Sequence, residues 1–216
     1  MEKGDFIRVN YTGRLETGEI FDLTNEETAK KEKVFNENVK YRPIPVIVGS
    51  HFLIPGLDRE LLGMKVGDKK SIEVKPEDAF GQRDSKLVRV VPKKVFEGKT
   101  DPKPGMIADF SGMKGRIQSV EAGRIRVDFN NPLAGKTLKY EIEITEEIKE
   151  PVEKIKAILE FFGAENVDVM LNTNEVNIKL KLPDHMKERI SSLIVENVKG
   201  IEKVNFIDTY SKKPQE

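Results

Sequence analysis

Alternation of apolar and polar positions, more than helical periodicity, organises the first part of the chain. Residues 6–15 predict a strand with Ile7, Val9 and Tyr11 on one face. Glu16-Thr17-Gly18 then supplies a turn before a second short strand through Ile20 and Phe21, so a hairpin opens the fold. Residues 24–40 are charged and poor in large apolar side chains, which reads as a solvated loop or a loose surface helix, and β character resumes over 43–48. One short helix is expected over 58–62, with Gly63 where a helix end favours a residue free to take positive φ. Residues 69–74 alternate as a half-exposed strand does, and 138–144 alternate again, with Tyr140, Ile142 and Ile144 opposing Lys139, Glu141 and Glu143. That last strand is expected to close the sheet begun at Phe6.

Between these segments the texture changes. Over residues 84–128, short β-like runs near 87–91, 106–110, 116–120 and 124–127 are separated by prolines and glycines, the pattern of a small all-β insert. From 151 a third unit begins with Val152, Ile155, Leu159 and Phe162 on one helical stripe, stopped by Gly163. Alternating runs at 167–171 and 176–182 around Asn172-Thr173-Asn174 predict a hairpin. A second helix carries Met186, Ile190, Leu193 and Ile194, with Asp184 expected as its cap, and Val204, Phe206, Asp208 and Tyr210 suggest a last strand. The order is α-β-β-α-β, and the tail 211–216 is expected to fray.

Composition narrows the chemistry. The 216 residues hold 37 Lys or Arg and 37 Asp or Glu, which argues against a strongly basic nucleic-acid protein. With no cysteine, thiolate nucleophiles and Cys-ligated zinc are excluded, and with His51 and His185 as the only imidazoles a His-based triad has few candidates. Both histidines read as capping or surface residues, and no metal or other cofactor is assigned. No run of about 18 apolar residues is present, so no membrane span is expected and the cytoplasm is the expected location.

The informative constellation is Tyr11-Thr12-Gly13, Gly18, Phe21-Asp22, Gly49, Leu53-Ile54-Pro55-Gly56-Leu57, Val66-Gly67 and Pro76-Glu77-Asp78-Ala79-Phe80-Gly81. In this order and spacing it resembles the FKBP family of peptidyl-prolyl isomerases. Each piece alone is weak, but seven in register over residues 11–81 leave little room for coincidence. Ala79-Phe80-Gly81-Gln82-Arg83-Asp84, Val90-Val91-Pro92, Pro104-Gly105-Met106 and the return through Asn130-Asn131-Pro132-Leu133-Ala134-Gly135 resemble the SlyD-like members, which carry a chaperone insert in the flap. The further C-terminal segment is similar to that of the archaeal long type.

The resemblance covers roughly residues 1–150. It implies an α+β fold: an FKBP-like antiparallel sheet wrapped on a short helix, with an all-β insert domain and a C-terminal α/β domain. Residues 1–83 with 129–150 would form the isomerase domain, 84–128 the insert, and 151–216 the C-terminal domain. It implies an enzyme that accelerates rotation about X-Pro bonds and acts on unfolded or proline-containing polypeptides. Such rotation crosses a barrier of about 18 to 20 kcal/mol because amide resonance is lost. An apolar pocket that strips water from the amide and fits the twisted form lowers that barrier without a nucleophile or a metal.

Carried over residue by residue, the pocket is walled by Tyr11, Phe21, Ile44, Leu53, Ile54, Leu57, Phe80 and Tyr140, with Asp22 beside it as a charged acceptor that orients Tyr11 or polarises the pocket. The family often has an aromatic residue, commonly Trp, where Leu57 stands, and an aromatic where Ile44 stands. Those departures bear on macrolide-drug binding more than on activity. Without the resemblance, the aromatics read as ordinary core and Asp22 as a turn or capping group.

In the insert, Val90, Val91, Val95, Phe96, Met106, Ile107, Phe110 and Met113 are candidate client-binding residues, with the insert's own core as the other reading. A non-enzymatic chaperone or peptide-binding module is the alternative function. The insert's ten Lys or Arg against six Asp or Glu invite a nucleic-acid reading, which is set aside because no basic stripe interleaved with aromatics is present. The C-terminal domain is expected to pair with a second copy as a homodimer, against the alternative of a monomeric appendage.

Overall fold

The computed structural model describes residues 1–96 and 100–208; Tyr210 and the tail 211–216 lie outside the described residues. Along the chain run β1 (Phe6–Leu15), β2 (Ile20–Leu23), α1 (Glu26–Lys31), β3 (Ile44–Ile47), α2 (Pro55–Glu60) and β4 (Lys69–Val74). Then come β5 (Val88–Pro92), β6 (Ile107–Phe110), β7 (Met113–Glu121), β8 (Arg124–Asp128) and β9 (Leu138–Ile148). The chain ends with α3 (Pro151–Phe161), β10 (Asp168–Asn172), β11 (Glu175–Lys179), α4 (Asp184–Asn197) and β12 (Lys203–Phe206). Residues 1–74 and 139–216 form one compact unit and 75–138 another.

In the first unit, β2, β1, β9 and β4 are neighbours in that order, and β3 also pairs with β1. On the edge away from β9, β1 serves two partners in succession, antiparallel β3 through Phe6–Val9 and antiparallel β2 through Thr12–Arg14. Ile7 and Val9 join Val46, Val48, Leu61, Met64, Ile142 and Ile144 in one buried core. Phe6 and Ile47 point the other way and are buried with Ile155, Ile158, Leu159, Val176, Ile178, Ile190 and Ile194. The run 44–47 is therefore apolar rather than alternating because its sheet margin is covered on both faces.

The boundary expected at 151 thus runs through a shared core. The helical stripe of α3 has its partner within the same unit, and its Ile155, Ala157, Ile158 and Leu159 are all buried. The order α-β-β-α-β is present, with β10, β11 and β12 in one sheet. Four details differ from the sequence expectation, the first being the short helix, which runs over Pro55–Glu60 rather than 58–62 because Pro55 takes its first helical position. Pro183, not Asp184, is the N-cap of α4, and Asp184 is its first helical residue, where its charge faces the positive end of the helix. The strand expected to reach 182 ends at Lys179, and the last strand ends at Phe206 without Asp208. The charged run 24–40 contains α1, capped by Asn25 Oδ1 accepting from the Thr28 N–H at 2.8 Å.

The second unit holds the sheet β5-β8-β7-β6, all within the expected insert, together with flanking residues 75–83 and 129–138. Phe96, Ile117, Ile125 and Val127 form its core, with Val91, Met106, Ala108, Phe110, Val120 and Phe129 packed around them. Phe96 is therefore a core residue of the insert. Val90, Val95, Ile107 and Met113 are exposed.

Candidate active site

The β1–β2 hairpin carries a register shift that builds the site. Gly13 pairs with Asp22 and Arg14 with Ile20, which leaves Phe21 as the extra residue of a bulge. In a regular strand Phe21 and Asp22 would point to opposite faces; a bulge re-aims one of them. Asp22, paired with Gly13, shares the face of Tyr11, and Tyr11 Oη donates to Asp22 Oδ2 at 2.7 Å. The Phe21 ring comes to the same face and meets Tyr140 of β9 edge-on at 5.6 Å between centroids, while Tyr140 meets Tyr11 at 6.0 Å.

Gly13 makes this closeness possible, since a Cβ there would lie 2.6 Å from Phe21 Cζ and 3.0 Å from Tyr140 Cε1. Thr24, buried just after β2, fixes the hairpin's other end. Its Oγ1 accepts from the Tyr11 N–H at 2.9 Å and donates to Asn10 Oδ1 at 2.9 Å.

Ile44 and Leu53 pack with Tyr11 on the core of Ile7, Val9 and Ile142. Ile54 is the N-cap of α2, half-buried, and Leu57 one turn on is buried. Asp58 in α2 is also buried, and its carboxylate accepts from the Gly49 N–H at 2.8 Å and the His51 N–H at 3.3 Å, tying the approach to Leu53 onto the helix. Gly13, Thr24 and Asp58 were not singled out as site residues from sequence. Gly13 stood inside the quoted Tyr11-Thr12-Gly13 motif, which was the available signal. Phe80 lies in the second unit, half-buried, after the turn at Pro76–Asp78. His51 and His185 are exposed. The polar hollow of about 500 Å³ bordered by Asn10, Asn25, Lys69 and Glu141 has hydroxyl, amide and charged lining that does not suit a prolyl ring.

Burial, then the hydrogen bond to Asp22 and its charge, push the Tyr11 hydroxyl well above its ordinary value. Burial and the Asp22 charge push Tyr140 from 10.0 up to about 12. Both rings are thus neutral donors at neutral pH, and the cluster offers oriented apolar walls and one polar edge rather than a general base. A raised folded-state pKa means that the folded protein holds the proton more tightly. Its contribution to stability is complete below pH 10.0 and is lost as pH rises through about 12. Thermal unfolding followed against pH is expected to show wild-type stability falling across that interval, and Tyr140→Phe to fall less; parallel curves overturn the assignment.

The sequence pattern of the FKBP-type peptidyl-prolyl cis-trans isomerases matches residues 1–145. The short-type peptidyl-prolyl cis-trans isomerase of Methanocaldococcus jannaschii is 36% identical over 145 residues, 67% of this chain and 92% of that protein. The FKBP-type 16 kDa peptidyl-prolyl cis-trans isomerase of Escherichia coli is 31% identical over 151 residues, covering 68% and 93%. The SlyD isomerase of Vibrio cholerae is 31% identical over 135 residues, covering 61% and 67%. With an α+β fold and an aromatic cluster of this kind, the chain belongs to the FKBP-type peptidyl-prolyl cis-trans isomerase family. Within that family it is a SlyD-like enzyme.

Proposed function

We propose that the prolyl ring of an unfolded chain is seated among Tyr11, Phe21, Ile44, Leu53, Ile54, Leu57 and Tyr140, and that the Tyr11–Asp22 pair forms the polar edge of that seat. The observation that carries this is the 2.7 Å bond from Tyr11 to Asp22 framed by the Phe21 and Tyr140 rings. An apolar enclosure weakens hydration of the planar amide, and walls that fit the twisted form bind it better than either planar isomer. Proline-limited refolding of a substrate protein tests the assignment. Asp22→Ala, Tyr11→Phe and Phe21→Ala are each expected to lower kcat/KM by about tenfold, the scale of a lost positioning contact. Wild-type rates in all three overturn it.

The insert is the proposed client holder. Val91, Val95, Phe96, Met106 and Phe110 border an open groove of about 550 Å³. Flexible Met and aromatic Phe at such a groove suit varied apolar segments, and holding a client raises its effective concentration at the prolyl seat. Val95→Asp is expected to leave turnover of a short proline peptide unchanged and to slow catalysed refolding of a whole protein about tenfold or more. Equal effects on both substrates overturn the holder reading.

A second copy of the chain is proposed to pair at β10, the end strand of its sheet, where Met170 and Leu171 are exposed. Sedimentation of the full chain tests this, and a monomer overturns it. The proposed setting is the cytoplasm; no helix among the described residues is long and apolar enough to cross a membrane.

A further inference from the structure

Two chain segments that deliver proposed walls of the prolyl seat are held from behind by the C-terminal α-β-β-α-β segment. The first is the approach to β3. Lys40 Nζ lies 2.9 Å from Glu165 Oε2, Arg42 Nη2 lies 2.7 Å from Glu165 Oε1, and Arg42 Nε lies 3.3 Å from Glu160 Oε1. Glu160, largely shielded near the end of α3, also accepts both terminal nitrogens of Arg8, at 3.1 and 2.7 Å. Arg8 and Arg42 therefore converge on one carboxylate, and Ile44 follows Arg42 by two residues. Helix α3 itself lies against β3.

The second segment is the approach to α2. Phe161, at the last position of α3, packs against Phe52 with ring centroids 4.4 Å apart and planes tilted by 55°, and Leu53 and Ile54 follow Phe52 directly. Asn197 Oδ1 accepts from Ser50 Oγ at 3.4 Å on the same stretch.

We propose that Glu160, Phe161 and Glu165 are positioning residues for isomerisation: the C-terminal segment sets the spacing of Ile44 against Leu53 and Ile54 and so tunes the fit of the seat to the twisted amide. This rests on the pocket reading above. The physical basis is that catalysis by fit is sensitive to small displacements of walls, and walls carried by a loop are only as fixed as what backs them. The carboxylates lock one side electrostatically and the Phe161 ring locks the other by packing. None of the three is proposed to touch the substrate.

The test uses the full chain with a short proline peptide, which reads the seat rather than the insert. Glu165→Gln, Glu160→Gln/Glu165→Gln and Phe161→Ala are compared with Ile44→Ala, each checked for a cooperative thermal transition. The carboxylate variants and Phe161→Ala are expected to lower kcat by about three- to tenfold with KM little changed, because fit to the transition state is lost before ground-state contact. They are also expected to shift the Ile44 methyl resonance.

Raising salt from about 0.05 to about 1 M is expected to lower the wild-type rate toward that of Glu165→Gln, since screening weakens the exposed part of the network. If Ile44→Ala is fully active, the pocket reading itself fails. If Ile44→Ala loses activity while the carboxylate and Phe161 variants keep wild-type kcat and an unshifted Ile44 methyl, the pocket stands and the positioning role is overturned.

Discussion

Ending the chain at Glu150 is expected to leave an aggregating, strongly destabilised protein rather than an independent isomerase. Phe6 and Ile47 are each only 1% exposed, and both are buried among side chains of α3, α4 and β11. Uncovering a fully buried Phe or Ile forfeits roughly 1.5–3 kcal/mol. Ile148 belongs to the same cluster, and Phe52 packs against it. The sum is comparable with much of the roughly 5–15 kcal/mol that holds a typical domain folded. Arg8 would also lose the bidentate carboxylate that now faces it.

Denaturant unfolding and light scattering of the shortened chain check this. The midpoint is expected to fall and scattering to rise, and Phe6→Thr with Ile47→Thr in the shortened chain is expected to reduce the scattering by removing the exposed apolar patch. A shortened chain with the full-length midpoint would show that the shared core contributes nothing to the first sheet.

That core also marks the limit of what the sequence disclosed. Alternation is local, so β1, β4, β9 and the helical stripe of α3 were legible from side-chain order alone. Which surface covers a given face is not local. On β1 the visible stripe was Ile7, Val9 and Tyr11, and nothing in the order of residues says that Phe6, on the reverse face, is buried in one cluster with Ile155 and Ile190 more than a hundred positions away. The insert shows the same limit. Its apolar residues were visible, but only their three-dimensional packing separates Phe96 in the core from exposed Val90, Ile107 and Met113.

At the site, the residue types were legible through their resemblance to a family, whereas the device that assembles them was not. A bulge at Phe21 is a matter of pairing register between two strands, and the sequence of either strand alone does not specify it. Asp184 failed as a predicted cap for a related reason. Pro183 already has the extended conformation of an N-cap, so the helix starts one residue earlier than the polar side chain suggests.

Gly13→Ala is expected to abolish most isomerase activity while the protein remains folded. Gly13 does not have positive φ, so its backbone accepts alanine and the strand itself is not the obstacle. The obstacle is through space: the new Cβ would lie 2.6 Å from Phe21 Cζ, 2.9 Å from Phe21 Cε2 and 3.0 Å from Tyr140 Cε1. Two rings must move away, and both belong to the cluster that surrounds the Tyr11–Asp22 bond. Overpacking of this kind costs about 1–3 kcal/mol of stability, which a domain survives. Displacing catalytic walls by about 1 Å can cost about 100-fold in rate.

Thermal unfolding and peptide turnover of Gly13→Ala, Phe21→Ala and the double variant separate the two effects. Because the clash is with the Phe21 ring, the stability losses are expected to be less than additive, the double variant recovering part of the penalty. Its activity is expected to stay low, since the ring that walls the seat is then gone. Additive stability losses, or wild-type turnover in Gly13→Ala, would mean that the strand and the rings yield independently and that the close approach at Gly13 does not set the shape of the seat.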